Sequence, residues 1–334
     1  MPDLKTRLGT WDVLVLVVTL VFLAFAVSQV ENFGTSVNFT FLVLDLLPIM
    51  LIALPMTLII ITGEIDLSVA STLGLTSALM GYLWNQGMSI ELIIPACLVV
   101  GGLLGALNGV FVTVLGLPSL AVTIGTLALF RGLAFVVLGD TAVANFPFSY
   151  TSWVTGTIAG TSIPNVLIIM LVLALVCGVV LHATPLGRAL IAIGANDQAA
   201  RFAGINAGRA KFSLYVISGV TAGLAGVLWT LRYSTARADN AAGLELAVVA
   251  AVLLGGVSIF GGKGTLPGVI AGVVLLGSLQ NVLRLEDVSN ESLNIVTGVL
   301  LIISVLLPNT AAAVSTAWHR RRLRSGAEGG AHVA

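Results

Sequence analysis

About ten apolar stretches, each long enough or nearly long enough to cross a bilayer, occupy this chain, and no water-soluble fold could bury so much apolar surface. A hydrocarbon core of ~30 Å takes ~20 residues of helix at ~1.5 Å each, so apolar runs bounded by polar or charged turns read as spans. They extend approximately from Trp11 to Gln29, Phe41 to Thr62, Val69 to Trp84, Leu92 to Leu115, Ser119 to Leu138, Pro164 to His182, Lys211 to Leu231, Leu244 to Phe260, Leu266 to Leu283 and Leu293 to Leu307. The third, eighth and tenth are short and read equally as tilted or broken half-helices. Charged residues are 9% of the 334, against ~25% in a soluble domain. The expected fold is all-α, a polytopic transmembrane helical bundle of about ten spans.

Orientation follows from the fifteen Lys and Arg, because loops rich in them stay cytoplasmic. With the N-terminus inside, Lys5, Arg7, Arg188, Arg201, Arg209, Lys211, Lys263, Arg320, Arg321, Arg322 and Arg324 are cytoplasmic. Arg232, Arg237 and Arg284 fall outside, and Arg131 lies within a span. An even span count also returns the basic tail from His319 to Arg324 to the cytoplasm. Ala24-Phe25-Ala26 in the first span resembles a signal-peptidase site, but a retained anchor is the expectation for a polytopic chain. Cys97 and Cys177 each sit in an apolar run, where thiols pack as small hydrophobes.

No catalytic constellation emerges. His182, His319 and His332 lack Cys or carboxylate partners at metal-ligand spacing. The glycine-rich stretch Gly256 to Gly264 fails as a phosphate-binding loop: the spacing needs glycine at 257, where Val stands, and Ser or Thr at 264, where Gly stands. The chain is therefore not expected to be an enzyme, to bind ATP or to need a cofactor.

Two passages resemble diverged copies. Leu104 to Val110 in the fourth span parallels Leu276 to Val282 in the ninth, and Ile65 to Val69 parallels Leu244 to Val248. The fourth and ninth spans run in opposite directions on this topology, so the expectation is an inverted repeat with a transport route between its halves. That places the route near Asn108, Thr123 and Asn281, with Asp66 and Glu245 as pseudo-equivalent carboxylates toward opposite mouths. Gly101, Gly105 and Gly109 share one helix face, as expected for closely packed helices. Asp45, Arg131 and Glu245 are ionisable groups in or beside the spans. Asp45 and Glu245 lie near span ends, within reach of water. Arg131 lies seven residues inside Leu138 and is expected to bind backbone carbonyls or a carboxylate, with a structural role as open as a route-lining one.

The long cytoplasmic segment from Ala183 to Arg209 includes Arg188 and a run from Asn196 to Ile205. Asn196 or Asp197 can cap a short helix through Ala199, Ala200, Arg201 and Phe202, and Gly204 can stop it. Such a helix either docks into a groove on a soluble partner or is an idle surface helix. The outer loop from Gly139 to Ser162 carries Phe146, Phe148, Tyr150 and Trp153, which read as interfacial anchors or as an external gate or partner contact.

Taken in order, Gly63-Glu64-Ile65-Asp66-Leu67-Ser68-Val69, Asn108-Gly109, Pro118-Ser119-Leu120, Thr123 to Leu127, Arg131-Gly132, the Thr184 to Ile205 segment and Gly255-Gly256 to Gly264 resemble the permease subunit of ribose-type bacterial ABC importers, over nearly the whole chain. Within that family the likeness is to permeases for rhamnose-like sugars or autoinducer-2. The resemblance implies an inner-membrane permease paired with a second, identical or related permease, two ABC ATP-binding subunits and a periplasmic or lipid-anchored sugar-binding protein, with membrane lipid and no nucleic acid. It implies that the 184–209 segment, with Arg188, Asn196, Ala199, Ala200, Arg201, Phe202, Gly204 and Ile205, couples to the ATPase. Glu64 and Ala70 stand where the family commonly has glycine, which puts the backbone of that loop in question.

The expected organisation is one permease domain: a first half at 12–183, the coupling segment at 184–209, a second half at 210–308 and a cytoplasmic tail at 309–334. The expected function is ATP-driven import of a neutral sugar by alternating access. The alternative, a self-sufficient secondary transporter or facilitator, would be expected to carry a mid-span carboxylate for ion coupling.

Overall fold

The computed structural model describes residues 10–289, 291–304 and 306. Lys5, Arg7, the basic tail and the last residue of the tenth expected span lie outside the described residues. The elements in chain order are α1 (Thr10–Gln29), α2 (Ser36–Ile61), α3 (Val69–Asn85), α4 (Ile90–Thr113), α5 (Ser119–Leu138), β1 (Val143–Ala144), α6 (Phe148–Thr155), α7 (Val166–Ala183), α8 (Pro185–Ala195), α9 (Asp197–Phe202), α10 (Ala207–Tyr233), β2 (Thr235–Ala236), α11 (Leu244–Leu254), α12 (Leu266–Leu285) and α13 (Glu291–Ser304).

Among the described residues, α1, α2, α4, α5, α7, α10 and α12 are long and apolar enough to cross a bilayer, while α3, α11 and α13 are shorter apolar helices. The three short ones are those the sequence marks as short. The eighth expected span is corrected: its helix ends at Leu254 rather than Phe260, because Gly255 caps it and Gly256 turns left-handed at φ 90°.

The bundle is built around α2 and α10. Thr35 caps α2 by accepting from the Asn38 N–H, and α2 is buried almost throughout from Leu42 onward, packed against α7, α10, α11 and α12. Its Pro48 and Pro55 are compatible with a membrane helix, where neighbours re-satisfy freed carbonyls. α10 packs reciprocally against α3 and α4, and α3 meets α4 as α11 meets α12. By contrast α1 and α7 leave rows of large apolar side chains outward, among them Leu14, Val17 and Val21 on α1 and Leu171, Val172 and Leu175 on α7. Such rows suit lipid rather than water.

The Gly101 and Gly105 face meets Gly219 on α10 with no room for a side chain. A Cβ at Gly105 would fall 2.2 Å from the Tyr215 carbonyl oxygen, and one at Gly219 would fall 2.1 Å from the Gly101 oxygen. Small residues there let the two backbones touch, so dispersion replaces the missing hydrophobic drive between membrane helices.

α1 belongs to the bundle: Trp11 Nε1 donates to the Leu254 carbonyl at 3.1 Å and Thr19 Oγ1 to the Ala271 carbonyl at 3.2 Å. Cys97 and Cys177 are buried and free. At one end of the bundle β1 pairs antiparallel with β2, Val143 opposite Ala236. At the other end α8 and α9 lie across the termini of α2 and α10.

Candidate functional site

The connection from Gly63 to Ser68 folds back into the bundle, and of its two acidic residues Asp66 is 2% exposed. An unpaired carboxylate buried there would be costly, so it must be solvated by protein. Asp66 Oδ1 accepts from the Ser68 N–H at 3.0 Å and from Ser68 Oγ at 2.6 Å, and Oδ2 accepts from Ser218 Oγ of α10 at 3.2 Å. Asn108 Nδ2 of α4 donates to Ser68 Oγ at 2.8 Å, while Asn108 Oδ1 has no hydrogen-bond partner among the described residues. The Ile65 N–H donates to Ser119 Oγ at 3.2 Å, and Thr123 Oγ1 and Tyr215 Oη reach the Ile65 carbonyl at 3.3 and 3.4 Å. The donors to Asp66 are all neutral: among the described residues it makes no ion pair.

Asp66, Asn108 and Thr123 thus converge from three elements. Ser68 could have been paired with Asp66 from sequence, since Asp-x-Ser is a local hydrogen-bonding pattern. Ser119 and Ser218 carried no such signal. The departures at 64 and 70 cost the loop nothing: Gly63 alone takes the left-handed turn at φ 83°, Glu64 accepts from Lys211 Nζ at 2.7 Å, and Ala70 is already helical.

The remaining expected route residues lie elsewhere. Asn281 forms a reciprocal amide pair with Asn38 at 3.0 and 3.1 Å, buried between α2 and α12. Arg131 Nη1 donates to the Ala238 and Asn240 carbonyls at 2.7 and 2.8 Å, and Nη2 to the Ala70 carbonyl at 3.3 Å. Arg131 therefore ties α5 to α3 and to the connection after β2. Glu245, half-buried in the first turn of α11, feels Arg131 electrostatically.

Asp45 is not left to water at a span edge. It is ion-paired with Arg232 and, at 2.6 Å, with Arg284, and Arg232 also donates to the Leu44 carbonyl. All three sit at corresponding depths near the ends of their spans, a signal the sequence contained. Nearby, Arg237 donates to Asp239 at 2.8 and 2.9 Å and holds that carboxyl below the usual carboxylate range.

At the opposite end, Thr184 caps α8 with Pro185 at its first position. Asn196 Oδ1 caps α9 by accepting from the Ala199 N–H at 2.9 Å. Gly204 closes α9 at φ 82°, with the Ile205 N–H returning to the Ala200 carbonyl. Phe202 is 91% exposed, and Ala199 and Arg201 are exposed beside it. Ala200, by contrast, is 4% exposed and packs against the chain itself. Ile205 is half-buried against the core. Arg201 pairs with Asp197 at 3.0 Å, and Lys211 bridges Asp197 and Glu64.

This arrangement, a buried polar loop at one level and a capped surface helix displaying an aromatic at the nearest end, has close relatives in sequence. A family model described as branched-chain amino acid transport system / permease component matches residues 38–305. The autoinducer 2 import system permease protein LsrD of Yersinia enterocolitica is 33% identical over 268 residues, 78% of this chain and 80% of that protein. The LsrD protein of Photorhabdus luminescens is 32% identical with the same coverage. That of Yersinia pseudotuberculosis is 31% identical over 310 residues, 91% of this chain and 92% of its own. No solved structure matches the chain. The chain belongs to the branched-chain amino acid transport system / permease component family, as a multi-pass permease subunit of the ribose type of ABC importer.

Proposed function

We propose that this subunit forms one side of the translocation route of an ATP-driven importer in the bacterial inner membrane, carrying a neutral polyhydroxylated solute such as autoinducer-2 or a rhamnose-like monosaccharide. It works with two ATP-binding subunits, a second permease and an extracytoplasmic solute-binding protein. The observation that carries the reading is α9: a helix of six residues, capped at both ends, that displays Phe202 beside Ala199 and Arg201, all three exposed among the described residues. Closure of the ATP-binding subunits would drag α8 and α9 and reorient the bundle.

The reading includes ten spans with both termini cytoplasmic, α3, α11 and α13 being partial crossings. The reciprocal packing of α2 on α11 and α12 and of α10 on α3 and α4 supports an inverted repeat. The Asp66, Asn108 and Thr123 cluster then lies on the route's cytoplasmic half and Glu245 on its outer half. The free Asn108 Oδ1 suits a solute hydroxyl when the route opens. The relatives named for autoinducer 2 import favour such a solute over a zwitterionic amino acid.

One observation favours the rival, an ion-coupled transporter: Asp66 is a buried carboxyl group with no counter-ion among the described residues, and such carriers use buried carboxyl groups. Uptake of autoinducer-2 and L-rhamnose, measured with and without an ATPase-competent partner subunit, separates the two. Uptake that persists without ATP hydrolysis and follows a proton gradient overturns the proposal.

A further inference from the structure

The connection from Gly255 to Gly264, between α11 and α12, has no part in the polar site, yet it is tightly built. The Ser258 N–H donates to the Lys263 carbonyl at 3.0 Å and the Gly261 N–H to the Ser258 carbonyl at 2.9 Å, with Gly261 and Gly262 left-handed at φ 80° and 74°. The Gly262 N–H donates to the Ile61 carbonyl at the end of α2, at 2.8 Å. A Cβ on Gly194 of α8 would fall 1.8 Å from that same oxygen and 2.4 Å from the Gly262 nitrogen. Three backbones therefore meet there: the ends of α2 and α8, and this loop.

Val257 faces inward, whereas Phe260 at the loop tip is 75% exposed and Lys263 is exposed beside it. The junction with Gly194 puts Phe260 at the same end of the bundle as Phe202 of α9. A large aromatic on a rigid loop, continuous with a docking segment, has the form of an interface anchor.

We propose that this loop is a second docking point for the ATP-binding subunit, Phe260 filling an apolar pocket and Lys263 meeting an acidic rim. The proposal rests on the reading of α9 as the first docking point. The glycine junction makes the two points one rigid body joined to the end of α2, so displacement of the partner reaches the Asp66 loop directly rather than only through α9.

The test is p-benzoylphenylalanine placed at Phe260, at Phe202 and, as a control on an exposed site at the far end, at Phe39 of α2, in the full complex within membranes. Adducts with the ATP-binding subunit are expected at Phe260 and Phe202 and not at Phe39. An adduct at Phe202 with none at Phe260, or one with lipid alone at Phe260, overturns the proposal. An adduct at Phe260 alone keeps this docking point and removes the one at α9, and none at either removes both. Because Phe260 is exposed, Phe260→Asp should leave the thermal midpoint of the isolated subunit unchanged while recovery of the ATP-binding subunit on co-purification falls about tenfold. Phe260→Leu should restore most of it.

Discussion

The two ends of this bundle are held together by different physics. At the end bearing β1 and β2, long side chains do the joining: Arg232 and Arg284 converge on Asp45, Arg131 fans across three carbonyls, and Tyr150 Oη donates to Glu91 at 2.8 Å. At the end bearing α9, Lys211 also bridges Asp197 and Glu64, but there backbones touch directly as well, where Gly194, Gly262 and Ile61 meet. Long side chains can follow a small displacement by changing rotamer, but touching backbones have no slack. The α9 end is thus suited to pass movement on, and the opposite end to keep its contacts while the helices tilt.

The largest expected effect comes from breaking the charged end. Asp45→Asn leaves Arg232, whose side chain is 10% exposed, without its carboxylate, and stranding a buried charge costs about 3 kcal/mol. Thermal unfolding of the purified subunit in detergent should show it, and adding Arg232→Gln should recover part of the loss. If the double variant is no better than the single one, the ion pair is not what holds this end.

At the other end, Gly194→Ala should cost about 2 kcal/mol, since its Cβ has no space and overpacking forces backbone shifts. Gly125→Ala on α5 meets nothing within 4 Å and should be neutral or gain up to ~1 kcal/mol in helix propensity. Equal tolerance of both substitutions would erase the contrast between the ends. A smaller effect, about 1 kcal/mol, is expected for Arg131→Lys, because an ammonium cannot reproduce the planar fork that reaches Ala238, Asn240 and Ala70 together. The same unfolding measurement checks it; an unchanged midpoint would make the fan incidental.

What the sequence made legible follows the range of each interaction. Local signals carried well: α5 has the bounds its apolar run implies, Asn196 caps α9, and the Gly101 to Gly105 spacing marks a tight crossing. The overrun to Phe260 has a local cause too, since Val257, Ile259 and Phe260 read as apolar span although Gly255 and Gly256 had already ended the helix. Pairings across the bundle were much harder to read. Asp45 and Arg284 are 239 residues apart, and only an argument from matched depth could have joined them. Of the six expected route residues, three share the Asp66 loop because the inverted pattern drew attention to it. Asn281 came from the same repeat and belongs to a separate contact, since a repeat predicts equivalence and not adjacency, while Arg131 was singled out as a charge within a span and binds carbonyls at the β1 and β2 end.

The smallest effect on stability falls on α9 and is the most informative about function. The pair between Arg201 and Asp197 spans one helical turn in the open, with the Arg201 side chain 63% exposed, and such pairs contribute only ~0.3–0.5 kcal/mol. Arg201→Glu exchanges that attraction for a repulsion of similar size, so the unfolding midpoint should barely move. If α9 docks with its exposed face, the same change should still weaken recovery of the ATP-binding subunit, because a reversed charge at an interface rim opposes its partner. Ala199→Trp, on that face, should block docking sterically. Ala200→Trp is a different experiment: Ala200 is packed against its own chain, so a large ring there should unseat α9 itself and lower the midpoint. Loss of docking in Ala199→Trp and Arg201→Glu at an unchanged midpoint, together with a lowered midpoint in Ala200→Trp, is the expected pattern. Normal docking and substrate-stimulated ATPase activity in Ala199→Trp would show that the exposed face of α9 is not where force enters this subunit.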